Sequence, residues 1–167
     1  VASSNLNMWL LRNIENAQLS LDIATRNIGF GHPKGDNYSW FDTFSNLLSR
    51  NCEINLNISE MPDSSPEGMA IAKRLQVLME KGLVLNKISD IPKWQIIIDK
   101  ESDISHRVIG CEEENKTLSF ENEIGDVNIV TTISKIGVET VNNDFSDMAR
   151  TKIDISSLDA PVGVDVI

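Results

Sequence analysis

Pro92-Lys93-Trp94-Gln95-Ile96-Ile97-Ile98-Asp99 decides how the whole chain is read. From Trp94 to Ile98 it is almost continuously apolar, the pattern of a strand covered on both faces. Upstream of Pro92 the periodicity alternates between three to four residues and two. Residues 5–17 recur as a helix through Leu6, Leu10, Ile14 and Ala17, and Leu19, Leu21 and Ile23 then alternate as a half-buried strand. Residues 38–50 return to helical spacing at Phe41, Phe44 and Leu48, and Ile54, Leu56 and Ile58 form a second strand. Ser64 three residues before Glu67, with Pro66 between them, reads as a capping box opening a third helix along Ile71, Leu75 and Leu78. Gly82 closes that helix, and Leu83 to Ile88 is a third strand. Helical crossovers between successive strands imply a parallel sheet with helices on its faces.

Downstream of the run, short strands are expected at about 105–111, 116–120 and 127–133, joined by acidic turns such as Glu112-Glu113-Glu114. A last helix is expected from Val141 to Lys152, with Phe145 and Met148 inward. Residues 1–152 are then a single domain, and 153–167, with Pro161 and Gly163, a loosely attached tail. A Rossmann-like scaffold is the competing α/β reading, and the short strands after residue 93 disfavour it.

The chain has 167 residues, 41% of them hydrophobic and 5% aromatic, so its core is aliphatic. Net charge is −10, and residues 93–167 hold 15 of the 25 carboxylates. That balance argues against direct nucleic-acid binding, which needs a basic face to displace counterions, and against docking on anionic membranes. No apolar run approaches the ~18 residues of a membrane span, and no signal peptide opens the sequence. Cys52 and Cys111 lie in separate apolar stretches and are expected as buried free thiols, which places the chain in the cytoplasm. The first residue is Val1, so a piece of a longer protein is expected.

No phosphate-binding loop, dinucleotide fingerprint or zinc-ligand pair is present, and two histidines with two distant cysteines make a poor metal site. Neither a cofactor nor a metal is expected. His32 and Lys34 share a Gly-rich loop, 27–37, after the first strand. Loops leaving the carboxyl ends of parallel strands line the usual crevice, so both are candidates for ligand binding. His106 is expected as a hairpin contact, Asp22 as the polar side of a half-buried strand, and Trp94 as core or pocket wall.

Four stretches, taken in order, resemble one copy of the phospholipase D-like (HKD) fold. They are Ile14 to Ala24, the helix–strand succession from 38 to 85, the pair Pro92–Asp99 and Val108-Ile109-Gly110-Cys111, and Asn122-Glu123-Ile124-Gly125 with Phe145 in the closing helix. The resemblance implies an α-β-α sandwich around a mixed, largely parallel sheet. It sets Pro92–Asp99 against the signature HxKxxxxD, in which the His is the covalent nucleophile and the Lys holds phosphate. Asp99 stands at the Asp position, which leaves Pro92 at the His position and Trp94 at the Lys position. Proline cannot attack phosphorus, and tryptophan supplies no ammonium. Cys111 replaces the usual Ser after Gly110, and Glu123 falls in the family's acidic stretch.

The resemblance therefore implies a non-catalytic domain, a ligand-sensing or protein-interaction module of a larger regulatory protein, paired as a homodimer. His32, Lys34, Lys93 and Trp94 are its expected cleft lining, suited to a small phosphorylated or sugar-like ligand. The alternative is a phosphodiesterase or nuclease that recruits His32 and Lys34 or completes its site with a partner chain.

Overall fold

Side chains alternate along each strand, and that alternation sorts the chain into layers. The computed structural model describes residues 3–29, 40–116, 118 and 128–155, with the side chains of the first helix from Met8 onward. Helix α1 (Ser3–Glu15) leads into β1 (Ser20–Thr25), α2 (Trp40–Ser49) into β2 (Glu53–Ile58), and α3 (Pro66–Glu80) into β3 (Val84–Ile88). Then come β4 (Gln95–Ile98), β5 (Arg107–Cys111), β6 (Ile129–Thr132), α4 (Lys135–Asp147) and β7 (Arg150–Lys152). Among the described residues the strands form one sheet in the order β6-β5-β4-β1-β2-β3-β7.

Leu21 and Ile23 of β1, Ile54 and Leu56 of β2, and Ile96 and Ile98 of β4 face one way. They pack with Leu10 and Ile14 of α1, Phe44 and Leu47 of α2, and Leu75 and Leu78 of α3. Ala24, Ile88, Ile97 and Val108 point to the opposite face and meet Val138 and Phe145 of α4. The result is the expected α-β-α sandwich with a mixed sheet. Its parallel pairing is confined to β1–β2 and β2–β3, where α2 and α3 are the crossovers. The β1–β4, β4–β5, β5–β6 and β3–β7 pairs are antiparallel, so the sheet is less parallel than expected. The cause is the missing crossover helix after β3: β4 enters beside β1 in reverse, and β5 and β6 then join antiparallel at that side of the sheet.

The end of the chain departs furthest from expectation. α4 begins at Lys135, because the Ser134 hydroxyl accepts the Gly137 N–H at 3.1 Å and caps it. A side chain at Gly137 would collide with Thr132, so glycine lets the helix start close against β6. Met148 leaves the helix in an extended conformation, and residues 150–152 form an antiparallel edge strand on β3 rather than a last helical turn. Ile153 N–H continues that edge with a bond to the Leu85 carbonyl at 2.9 Å. In α3 the cap is Ser65, one residue later than expected: its hydroxyl accepts from Gly68 N–H at 3.1 Å, with Pro66 in the first turn. The expected strand at 116–120 falls mostly outside the described residues.

Candidate functional site

β1, β2 and β3 end, and β4 begins, at one edge of the sheet, which the antiparallel β4–β5 pair extends to Cys111. This carboxyl edge gathers Pro92, Lys93 and Trp94 at the start of the stretch, with Gly110 and Cys111 beside them. Pro92 is exposed, and its carbonyl accepts the Asn115 N–H at 2.8 Å. Lys93 is exposed. Trp94 is only 1% exposed and packs within the core of the α1–α3 face, so its ring is not open to solvent for stacking. Its Nε1–H finds no acceptor among the described residues. Gly110 pairs with Gln95, and the Cys111 N–H donates to the Trp94 carbonyl at 3.2 Å. The positions of His32, Lys34 and Glu123 lie outside the described residues.

Residues that the sequence reading did not single out complete this edge. The Arg26 guanidinium holds Asp90 through Nε at 3.0 Å and Nη2 at 3.3 Å, and reaches the Asn115 side chain at 3.4 Å. The Ser59 and Glu60 N–H groups close on the Arg26 carbonyl at 3.1 and 2.7 Å. The buried Thr25 hydroxyl both donates to the Leu118 carbonyl and accepts the Leu118 N–H, tying β1 to the segment after β5. Beside these, a cleft of about 240 Å³ is lined by Asn27, Ile28, Glu60, Met61, Asp63 and Glu67, among others. The Ser65 hydroxyl and N–H donate to Asp63, which holds its carboxyl below the ordinary carboxylate range. Arg26 is neutralised by Asp90 and the cleft carries carboxylates, so the described lining suits neutral polar groups better than anions.

Asp99 stands at the opposite edge, away from Pro92 and Trp94. It is fully buried in a left-handed conformation (φ 51°). One carboxylate oxygen accepts the backbone N–H groups of Gln18, Leu19 and Ser20 at 2.9, 2.7 and 3.2 Å. The other accepts the Ser105 hydroxyl at 3.0 Å. The side chain is thus spent on clasping the α1–β1 turn, in agreement with a strand-end turn residue.

Near this edge the His106 ring lies between two carbonyls, with Nδ1 2.6 Å from Ser102 O and Nε2 2.9 Å from Ile133 O. It straps the turn before β5 to the end of β6, the hairpin contact expected for it. Both thiols are free and buried, and burial raises both, Cys52 to about 11. Neither is a ready nucleophile. Among the described residues no group of His, Cys, Asp and Glu could hold a metal.

On the α4 side of β1–β2–β3 lies a polar row that the alternation in the sequence already contains. Asn55 donates to Asp22 at 2.8 Å, and the other Asp22 oxygen meets Lys100 Nζ at 3.0 Å. Asn86 donates to Asn57 at 3.0 Å, and Asn57 to the Ile23 carbonyl at 3.0 Å. Asp22 is therefore buried and paired rather than half-exposed. Asn is depleted in strands, so asparagines recurring at strand positions signal a polar face.

The sequence matches no family model and no curated protein. Among the solved structures that share the fold are the following two. One is TrmBL2, an archaeal chromatin protein described as showing a novel mode of DNA binding, at 15% identity and a TM-score of 0.57. The match covers 87% of this chain and 49% of that one, so the chain spans about half its length. The other is Nuc from Salmonella typhimurium, a phospholipase D family member, at 15% identity and a TM-score of 0.56, with 86% and 89% covered. The first corrects an expectation: a protein of this fold binds DNA, so the net charge of −10 is no ground for excluding nucleic acid as a partner. Net charge is a whole-chain sum, whereas phosphate contacts are made by local groups. Among the described residues no helix is long and apolar enough to cross a membrane. Layer order, mixed sheet and both likenesses agree: the chain has the phospholipase D-like fold.

Proposed function

We propose that this chain is a non-catalytic phospholipase D-like domain, a ligand-sensing or protein-interaction module of a larger regulatory protein, in which residues 1–152 act as one unit. The observation that carries the reading is the motif strand. Set against the resembled signature, Pro92 and Trp94 fall at the nucleophile and phosphate-holding positions, while Asp99 serves a backbone clasp. A strand that retains the motif's structural residue and lacks its reacting residues supports binding without turnover. The carboxyl edge is the proposed pocket, with Lys93 on it and His32 and Lys34 in the loop that leaves β1. The paired Arg26 and the acidic cleft favour a hydroxyl-rich, sugar-like ligand over a phosphorylated one. The module works as a homodimer.

Thermal unfolding in a panel of neutral sugars, sugar phosphates, inorganic phosphate and duplex DNA tests this. Duplex DNA belongs in the panel because a chromatin protein of the same fold binds it. A saturable rise in Tm with a neutral sugar, lost in Lys93→Ala, is expected, since a ligand held 100-fold above its Kd adds about 2.7 kcal/mol. A rise with DNA alone would move the module to nucleic-acid recognition.

A further inference from the structure

The two edges of the sheet are built differently. β7 presents exposed Arg150 and Lys152, charges that discourage another strand from pairing there. β6 carries none: Asn128 to Ser134 is seven residues without charge, proline or glycine, in a chain that is 24% charged. Glu112 N–H donates to the Asn128 carbonyl at 2.9 Å, and the register sets Gly110 against Val130 and Val108 against Thr132. By the alternation of an antiparallel ladder, residues 128, 130 and 132 turn their backbone groups to β5, and Ile129 and Thr131 turn theirs outward. Among the described residues nothing pairs with that outer side. Large aliphatic side chains flank the strand: Val130 is 43% exposed, Ile133 72% and Ile136 79%, with Ile136 beside the Gly137–Thr132 contact.

We propose that β6 is where two copies of this chain meet, strand against strand and antiparallel, so that the two sheets become one. A two-fold axis makes the contact self-complementary, since the same segment supplies both sides. A second copy fits as the occupant because β6 is self-complementary and is free of the like charge that keeps the copies apart elsewhere. Most contacts between two chains of net charge −10 set carboxylates against carboxylates, but β6 against β6 sets only Ile, Val and Thr against one another. Pairing β6 with the charged β7 of another copy would build an open filament and place Arg150 and Lys152 beside the apolar flank. The proposal rests on the homodimer reading above and adds where the copies meet.

Sedimentation equilibrium across a concentration series tests it, on the wild type, Thr131→Pro and Thr131→Lys. Proline at 131 removes an outward N–H and leaves the β5 ladder whole; lysine brings two ammonium groups together near the axis. Circular dichroism reports whether each variant keeps its fold. The expected result is a wild-type monomer–dimer equilibrium, a dissociation constant at least about tenfold weaker in both folded variants, and partial recovery of Thr131→Lys in high salt. A dimer indifferent to both substitutions overturns this surface and leaves the homodimer reading standing. A wild type that stays monomeric at every concentration overturns both.

Discussion

Asp99 is a fully buried carboxylate at a strand end whose acceptor capacity is taken up by the neighbouring turn. Its carboxylate is the acceptor for three consecutive N–H groups between α1 and β1, and its own backbone sits in the left-handed region. Asp99→Ala strands these three donors, of which Ser20 N–H is buried and those of Gln18 and Leu19 are partly so, at about 1–3 kcal/mol for each one left unsatisfied away from water. We expect it to lower the unfolding free energy by about 3 kcal/mol or more in urea titration, and Asp99→Asn, which keeps an acceptor and tolerates that backbone, to lose less. A loss below about 1 kcal/mol in the alanine variant would show that the clasp is replaceable. Cys52 gives a second test at this scale. Burial lifts its thiol from 9.0 to about 11, so the native state holds the proton more tightly than the unfolded chain does. Its contribution to stability is complete below pH 9.0 and is lost as pH rises toward about 11. Cys52→Ala should therefore flatten the fall in stability across that window, and an unchanged slope would refute the assignment.

At the scale of elements, strand alternation and the α3 stop at Gly82 were legible because they rest on burial and backbone preference, both local properties. The last helix was legible in its inward Phe145 and Met148 but not in its bounds, because its start depends on Ser134 capping a glycine and its end on a three-residue polar edge strand with no apolar alternation. The direction of β4 was hidden as well: periodicity marks it as a buried strand and says nothing of which neighbour it joins. The asparagines were visible but undervalued. Asn57 holds Asn86 across β2–β3 and also reaches back to β1, so the polar row fixes the register of the parallel part of the sheet. Asn57→Ala should cost about 1–3 kcal/mol by leaving the Asn86 amide without its acceptor. Combined with Asn86→Ala the loss should be less than the sum of the two, which a double-mutant cycle by chemical denaturation reads directly. Additive losses would dissolve the row into independent residues.

Across the whole molecule, the order of four weak sequence stretches was enough to reach the fold, because a fold is a property of order. The site was less legible. Pro92 and Lys93 are exposed at the carboxyl edge, and Trp94 takes the core alternative of its expected core or pocket-wall place, since an indole after a proline turn buries more area in the core than at a rim. Arg26 and Asp90, which set the charge of that edge, meet across 64 residues and no local pattern announces them. Net charge misled in the same way, by averaging over the surface a property that partners read locally.

The central claim is that the chain kept the fold and gave up phosphoryl transfer. Hydrolysis of a chromogenic phosphodiester by the folded protein, with His32→Ala alongside, tests it most directly. The account predicts no turnover above the uncatalysed rate in either protein. Turnover in the wild type that disappears in His32→Ala would contradict it and make loop 27–37 an active site.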